Sequence, residues 1–578
     1  MTDLMRLEIL LKTDFTCTNN SRRVLIIGMA VAFVASIPLV MSGLCKNGTG
    51  HDMFFHLMRI AGLAEGFKSG QFPVRIQPGW YNGYGYATSI FYGDVFLWFP
   101  AALHLIGISL QTAYKLFVLV CNIATFFVAY FSFRGILKKD WIAFVGATWY
   151  TISLYRLINV YIRHAVGEHT AMIFFPLIAY ALVCLLKEDP EISTGIKSLI
   201  IGMTGILQSH MISFEITVGV IAVICLIYVR RTFRKATFRA FAKAVGLTVL
   251  VNLWFLIPLF DYMKTGTFNA NTVSEYKKSI DIGESGLFIK QLFGVFYGAA
   301  GVNLPASAGI ENEMPLGVGL GALIIVGALI SVIVFNFKNN DKDDKKLSIV
   351  TAVGTLVALF MSTIYFPWGK IESIHDVIRY ATVNIQFPWR FLGVASAFLA
   401  FDVCIILAGS KSERLAIATV GISIVLLAVS GTYLLIDETR VSTKVNVKDI
   451  GNLNTSEPSG EEYLPYGTVV DELVYGDIRT TNVTYTLWAK DNLNFEVDLE
   501  NKSNDNGYIL APLLYYKGYV SSLSDGSNET ELYVTYGDNK RVLVEIPPKS
   551  KGKMTVWWSK PKLWWVGDIT TIVTILAL

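Results

Sequence analysis

Three residues that can move protons and bind anions stand at regular spacing near the start of the chain. Asp52, His56 and Arg59 are separated by four and three positions. If the stretch 51–59 is helical, positions i, i+4 and i+7 share one face, so a carboxylate, an imidazole and a guanidinium line up. The apolar residues between them predict a helix lying on a membrane surface, for which the alternative interpretation is an ordinary solvated polar face.

This set of side chains suits one kind of chemistry. A carboxylate beside basic groups can act as a general base that takes a proton from an acceptor hydroxyl. Arginine holds phosphate bidentately and stabilises a leaving negative charge. His51 beside Asp52 and His56 is not a known metal-ligand spacing, and the sequence contains neither a P-loop nor an HExxH zinc motif. We therefore expect no metal and no other cofactor.

The composition places these residues in a membrane protein. Of 578 residues, 53% are hydrophobic and only 16% are charged, and apolar runs long enough to cross a bilayer recur along the chain. The net charge is only +4, and the basic residues cluster between apolar runs, where they act as orientation signals. The pattern predicts a polytopic α-helical protein with about 12 spans and gives no case for nucleic acid.

The positive-inside rule orients these spans. Residues 1–23 form a cytoplasmic N-terminus, 24–436 a multi-span membrane domain, and 563–578 a final transmembrane segment. The first outer loop, 45–111, carries the Asp52 stretch, and its part 94–108 is a short, partly inserted or surface helix. In this register the strongly basic connectors face the cytoplasm.

Residues 437–562 change period and predict an extracytoplasmic β domain. Apolar and polar residues alternate over 483–487, 495–499, 532–536 and 542–546. The residues at 537–541 suit a hairpin loop, and those at 525–528 suit a second turn. We expect a small antiparallel, β-sandwich-like structure.

Other ionisable residues fall on the same predicted outer side, in later loops. Residues His164 and Glu168 are four apart and would touch on a helix. For each residue alone, snorkelling or a local ion pair is the simpler interpretation. Recruitment of the whole set to one side favours a site. The candidates from later loops are Arg163, His164, Glu168, His210, Arg379 and Arg390.

Several short motifs, in order along the chain, resemble a known group of proteins. An outer loop that opens with an acid just after the first span resembles the GT-C superfamily of membrane glycosyltransferases. More closely, the chain resembles the YfhO-like bacterial membrane proteins, some of which carry the label "6-pyruvoyl-tetrahydropterin synthase-related", although no pterin-enzyme zinc site is visible. The motifs are HDMFFHLMR (51–59), GQFP (70–73), YIRHAVGE (161–168), QFPWR (386–390), EYLP (462–465) and PLLYYKGY (512–519).

The resemblance implies Asp52 as the catalytic base in the bacterial plasma membrane. A sugar would pass from a polyprenyl-phosphate carrier to a cell-envelope glycan or glycolipid on the outer face. Arg163 and Arg390 would bind the phosphate, and His56, His164 and Glu168 would position the substrates. The superfamily often uses a pair of acids, for which Asp94 or Glu168 would have to be the second.

Two other functions remain open at this point. A transporter or flippase of a lipid-linked sugar would need charged or broken helices near the membrane midplane, whereas the predicted spans are largely free of charge. A non-catalytic envelope-polysaccharide assembly subunit would bind polymer through its outer domain. Tyr515, Tyr516 and Tyr519 could stack on sugar there, although they suit the core of a sandwich equally well.

Overall fold

In the computed structural model, the described residues are 19–40, 43–46, 52–270, 282–296, 315–336, 342–449 and 461–578. They form a mostly helical body followed by a strand-rich C-terminal region. The main helices are α1 (Asn19–Val34), α2 (Met53–Lys68), α3 (Trp98–Leu105), α4 (Leu110–Leu137), α5 (Asp140–Thr151), α6 (Leu154–Tyr161), α7 (Val166–Met172), α8 (Phe175–Leu186), α9 (Ile192–Ser209), α10 (Met211–Ile227), α11 (Lys235–Val251), α12 (Leu253–Thr265), α13 (Leu320–Ser331), α14 (Lys342–Met361), α15 (Asp376–Asn384), α16 (Phe391–Gly409), α17 (Glu413–Val441) and α18 (Lys562–Ala577).

The boundaries of α4 follow from local chemistry. Ser109 precedes the helix, and its hydroxyl accepts the backbone N–H of Thr112, which satisfies one of the otherwise unpaired donors of the first turn. The helix ends at Lys138, whose left-handed backbone (φ 55°) stops the helical repeat. The 28 residues between these points are long enough to cross a bilayer.

Four helical segments among the described residues are long and apolar enough to span a membrane. They are Leu110–Leu137, Val166–Leu186, Pro388–Gly409 and Glu413–Val441, and the pair α11–α12, bent by 73°, would make a fifth. The predicted number of about 12 spans stays a prediction, because several apolar runs form two helices or a short one. Residues 141–157, for example, are divided between α5 and α6.

Two antiparallel sheets make up the strand-rich C-terminal region, which we call the β region (residues 461–558). The first sheet has the order β3-β6-β10-β9 and the second β4-β5-β11-β7-β8. A separate pair, β1 (Leu44–Lys46) with β2 (Thr443–Val445), joins the first loop to the end of α17. The strands of the two sheets are β3 (Arg479–Thr481), β4 (Thr484–Asp491), β5 (Asn494–Glu500), β6 (Gly507–Leu514), β7 (Tyr519–Ser524), β8 (Glu529–Leu532), β9 (Val534–Tyr536), β10 (Arg541–Ile546) and β11 (Lys551–Trp558).

The alternating segments of the sequence correspond to strands. They fall on β4, β5, β8 with β9, and β10, and the hairpin predicted at 537–541 joins the paired strands β9 and β10. β5 shows the reason, since Phe495, Val497 and Leu499 are buried while the residues between them face outward. The sandwich-like stacking of the two sheets stays a prediction.

The helix α2 in the first loop is largely buried. α2 begins just after Asp52, but His56 and Arg59 are as buried as Met53 and Leu57 on the other side of the helix. The alternative interpretation, a solvated polar face, is therefore wrong, because neighbouring elements cover His56 and Arg59.

Hydrogen bonds tie the end of the first loop to the β region. Asn82, in a left-handed conformation (φ 55°), donates its side-chain amide to the Leu473 carbonyl at 2.8 Å. The Tyr84 hydroxyl donates to the Val474 carbonyl at 2.9 Å. The first loop thus connects the helical body at Asp52 with the β region at Tyr84.

Candidate functional site

Glu168 lies at the centre of a buried group of polar side chains. Arg163 donates to its Oε2 at 2.8 Å, and the Tyr155 hydroxyl and the Asn159 amide donate to its Oε1 at 2.5 and 3.3 Å. Arg163 also donates to Asn159 Oδ1 at 2.6 Å. The carboxylate is thereby held as an ion in one orientation, which satisfies the requirement for a buried charge.

The local backbone explains why Glu168 meets Arg163 and not His164. His164 has a left-handed backbone (φ 50°), and α7 begins only at Val166. The expected helical contact between His164 and Glu168 is therefore wrong, because the two residues do not share a helix. His164 instead lies 3.3 Å, through Nδ1, from the Tyr114 hydroxyl, while Glu168 occupies the first turn of α7, which favours an acid.

Arg390 brings a second guanidinium to Glu168. Its Nε lies 4.0 Å from Glu168 Oε2, and its Nη2 donates to Gln386 Oε1 at 2.7 Å. The side chain is only 9% exposed, yet Nε and Nη1 have no hydrogen-bond partner among the described residues. Buried donors without partners are rare, so this guanidinium retains hydrogen-bonding capacity for a ligand.

Asp52 is attached to the same group through the backbone. Its N–H donates to the Arg163 carbonyl at 3.3 Å, and its own carbonyl accepts the His56 N–H at 3.1 Å. The Asp52 side chain makes no capping hydrogen bond to α2 and is half-buried. We call Asp52, Arg163, Glu168 and Arg390 the charged cluster.

Arg59 is bonded to a neighbouring loop. Its Nη2 pairs with Asp94 Oδ1 at 2.5 Å and donates to the Gly93 carbonyl at 2.7 Å, while Nη1 lies 3.3 Å from His56 Nδ1. The pair with Asp94 neutralises the Arg59 charge. Asp94, considered as a second acid, is thus the partner of Arg59 in this structure.

Tyr92 links these groups, although no pattern in the sequence indicated it. The Arg59 guanidinium lies 4.1 Å above its ring. Burial raises the pKa of the Tyr92 phenol to about 12, with Arg59 opposing and Asp52 adding to the shift. The hydroxyl occupies the space beside Gly167, since a Cβ at Gly167 would lie 2.0 Å from it. Glycine at 167 therefore allows the tyrosine to approach α7.

Two histidines beside the cluster, His210 and His56, are neutral. Burial, followed by repulsion from Arg390, lowers the pKa of His210 to about 3, and its Nδ1 contacts the Ser213 hydroxyl at 2.8 Å. Burial and Arg59 lower the pKa of His56 well below its usual value. Both rings are uncharged at neutral pH, so they act through hydrogen bonds and shape rather than as counter-ions.

His169 is a second buried residue near the cluster that no pattern in the sequence indicated. It is fully buried in α7, and neither ring nitrogen has a hydrogen-bond partner among the described residues. Neither an alternating nor a helical pattern distinguishes it from the neighbouring apolar positions.

Arg379 is the candidate that the structure leaves apart. It is half-buried on α15, where it lines a separate surface pocket with Asp376, Tyr380 and Val383. No hydrogen bond or ion pair joins it to the charged cluster within the described ranges.

An apolar groove lies between α4, α8, α10, α14 and α16. Its volume is about 340 Å³, and its walls include Phe175, Thr217 and Val394. Val394 lies four residues after Arg390, which is about 6 Å along a helix. The groove is also lined by the charged residues Lys187, Arg231, Asp343 and Asp344, and Arg231 pairs with Asp343 at 2.6 Å. The groove therefore begins close to the cluster and is lined mainly by hydrocarbon.

A metal site would need several histidine, cysteine or carboxylate side chains close together. His51 lies outside the described residues. Within the part of the chain that the structure describes, no group of three or more histidine, cysteine, aspartate or glutamate side chains could hold a metal ion.

No protein-family model matches the sequence. One curated relative, an uncharacterized protein of Lactococcus lactis subsp. cremoris (strain MG1363), is 20% identical over 92% of this chain and 90% of its own length. The resemblance to the YfhO-like proteins stays a prediction.

Three solved structures are similar at low identity. The arabinofuranosyltransferase AftD from Mycobacteria matches 72% of this chain at 12% identity and a TM-score of 0.41, but only 27% of AftD is covered. The Archaeoglobus fulgidus oligosaccharyltransferase matches 73% of this chain and 56% of its own, at 12% identity and a TM-score of 0.38. ArnT from Cupriavidus metallidurans, bound to undecaprenyl phosphate, matches 65% and 77%, at 12% identity and a TM-score of 0.28. The chain thus spans about a quarter of AftD and just over half of the oligosaccharyltransferase.

Proposed function

We propose that this chain is a membrane glycosyltransferase that moves a sugar from a polyprenyl-phosphate carrier to a cell-envelope polymer or glycolipid. The observation that carries the proposal is the Arg390 guanidinium, which lies beside Glu168 with only 9% exposure and whose Nε and Nη1 make no hydrogen bond to any described residue. A planar, forked donor of this kind binds phosphate bidentately.

In this proposal each charged group of the cluster has a role. The Asp52 carboxylate takes the proton of the acceptor hydroxyl, whose oxygen forms a bond to the anomeric carbon. The bond from that carbon to the phosphate oxygen breaks, and its electron pair leaves with the polyprenyl phosphate. Arg390 stabilises the departing charge. Glu168 keeps Arg163 and Arg390 in place, and the neutral His56 and His210 contribute no competing charge.

The apolar groove supports a lipid-linked donor. A hydrocarbon chain in the groove would have its phosphate near Arg390, because the groove begins one helical turn from that residue. The walls are apolar, as a prenyl chain requires. A soluble nucleotide sugar would leave this groove without an occupant.

The direct test is transfer of labelled hexose from polyprenyl phosphate by the purified chain, with an envelope fraction as acceptor. We expect Asp52→Asn to lower turnover about 10²- to 10⁴-fold, the usual contribution of a general base, while donor binding is retained. Asp376→Asn, an exposed position on α15, is the matched control. Equal transfer by Asp52→Asn and wild type would remove Asp52 from the mechanism.

The groove is tested separately. Ala397 lines it, and Ala397→Trp should raise the KM for a long-chain polyprenyl donor while sparing a short, water-soluble prenyl-phosphate donor. Gly421→Trp adds the same ring on α17, where no neighbouring atom lies within 4 Å of the new Cβ, and should change neither. Equal effects of Ala397→Trp on both donors would place the lipid chain elsewhere.

One observation favours a second function, the transport of a lipid-linked sugar. The expectation that the spans are largely free of charge is wrong at Arg156 and Asp402, which are fully buried within α6 and α16. Both are hydrogen-bonded, Arg156 to Asn122 at 2.6 Å and Asp402 to Thr355 at 2.6 Å. Buried charges of this kind mark pathways in transporters. Movement of labelled lipid across vesicles without acceptor, lost in Asp402→Asn, would support transport over transfer.

A further inference from the structure

A polar groove lies on the second sheet of the β region, away from the charged cluster. Its volume is about 420 Å³, within the range of ligand sites (about 300–1,000 Å³). It is lined by Asn494, Glu496, Ser522, Glu529, Thr555 and Trp557.

Strand register places these side chains on one face. Thr555 on β11 pairs with Glu496 on β5 and with Ser522 on β7. The next residues along two of these strands, Val556 and Phe495, point the other way and are fully buried. The groove therefore occupies the face of the sheet that is turned away from the core.

The polar side chains that line the groove are mainly hydrogen-bond acceptors, and one of them, Asn494, is an amide. Glu529 accepts the Ser522 hydroxyl at 2.7 Å, and Glu496 pairs with Lys553 at 2.5 Å, so both carboxylates are held in place. Carboxylate, hydroxyl and amide oxygens together match a ligand that presents many O–H donors. Asn494 can also donate to ring or hydroxyl oxygens.

Trp557 adds a flat apolar surface to this set. It is half-buried, lies two residues after Thr555 on the same face, and lines the groove. An indole packs against apolar C–H groups while its neighbours bond polar atoms. A pyranose has both features, a C–H face and hydroxyls around its edge.

We propose that this face binds a neutral glycan chain. Two carboxylates and one paired lysine leave the groove acidic, so a phosphate-bearing or other anionic polymer would be repelled. That the bound glycan is the acceptor of transfer rests on the function proposed above, whereas the binding itself does not. A cationic peptide is the other ligand that an acidic groove with an indole suits, and the experiment separates the two.

The test measures binding by the full-length chain in nanodiscs, without donor. The probes are neutral gluco-, galacto- and rhamno-oligosaccharides, the polyanion teichoic acid and an oligolysine peptide. We expect saturable binding of a neutral oligosaccharide that weakens about tenfold or more in Trp557→Ala, as for a central aromatic contact. Trp557→Phe should retain part of the affinity, and Asn494→Ala, at an exposed position, should weaken binding without risk to folding.

Tyr533→Ala is the matched control, because Tyr533 is a 67% exposed aromatic residue of the β region outside this groove. It should leave binding unchanged. Failure of all three neutral oligosaccharides to bind wild type, or equal loss in Tyr533→Ala, overturns the proposal. Trp557-dependent binding of oligolysine or teichoic acid alone also overturns it. Because no donor is present, loss of binding and loss of transfer are scored independently.

Discussion

Arg541 in the β region and Arg390 beside α16 are both buried, but their donors are used differently. Arg541 donates to Ala511, Leu510 and Asp477 through all three of its nitrogens. Arg390 donates once, to Gln386, and two of its nitrogens have no partner among the described residues. A fully bonded guanidinium fixes the chain, whereas a partly bonded one retains capacity for a ligand. Burial of charge alone does not separate these two cases.

The largest effect should come from Arg390. We expect Arg390→Gln to lower kcat/KM for transfer about 10²- to 10³-fold, because it removes a donor from the departing phosphate. Stability should change little, since Glu168 keeps Arg163, Tyr155 and Asn159. Arg390→Lys should recover only part of the rate, because an ammonium lacks the bidentate geometry. Steady-state transfer and thermal unfolding are measured on the same variant. The prediction is contradicted if Arg390→Gln unfolds the protein but leaves the transfer rate per folded molecule unchanged.

Arg541 should behave in the opposite way. Arg541→Gln removes the buried donor to the Asp477 carboxylate and to the backbone carbonyls of Asp477, Leu510 and Ala511, so we expect the β region to lose about 3 kcal/mol of stability. Arg479 pairs with the same carboxylate at 3.1 Å but is 53% exposed, and Arg479→Gln should cost less than about 1 kcal/mol. Proteolysis of the β region under increasing denaturant measures both. Equal losses would show that burial does not distinguish the two arginines.

Local patterns in the sequence predicted local structure well. The alternation over 542–546 indicated β10, and the hairpin before it joins β9 and β10. The Asp52 stretch gives a helix that brings His56 and Arg59 into contact. In each case the residues that decide the structure are neighbours along the chain, so period and turn chemistry were sufficient.

Contacts between distant residues were not predictable in this way. Tyr92 is 33 residues from Arg59 and lies beside it only because α2 packs on the following loop. The left-handed backbone at His164 cancelled a contact that helical spacing had indicated. Of the three tyrosines considered for stacking on sugar, Tyr516 and Tyr519 are buried and Tyr515 is half-buried.

Arg75 tests whether spare donors alone mark a ligand site. Its Nε and Nη1 also lack partners among the described residues, but the guanidinium lies 5.3 Å from the Trp254 ring and 5.6 Å from the Trp564 ring. It pairs with Asp568 at 2.9 Å. We expect Arg75→Gln to cost about 1–2 kcal/mol through the lost cation–π contacts and ion pair, with transfer per folded molecule unchanged. A transfer defect in the folded variant would extend the ligand site to Arg75.

Replacement of Lys490 should have the smallest effect on stability, and the direction of its pH dependence follows from the pKa of this residue. Its ammonium donates to the Gly83 and Asn492 carbonyls, and burial lowers its pKa from 10.5 to about 8. Between pH 8 and 10.5 the unfolded chain binds this proton more tightly than the folded chain, so the contribution of Lys490 to stability rises with pH. Below pH 8 both states are protonated, and the full cost of burying the ammonium remains. The melting temperature of wild type relative to Lys490→Met should therefore rise by about 2 °C from pH 8 to 10. A difference in melting temperature that stays flat or falls with pH would contradict this prediction. It would mean that the hydrogen bonds to the two carbonyls offset the cost of burying the ammonium, so that Lys490, like Arg541, is a fully bonded contact.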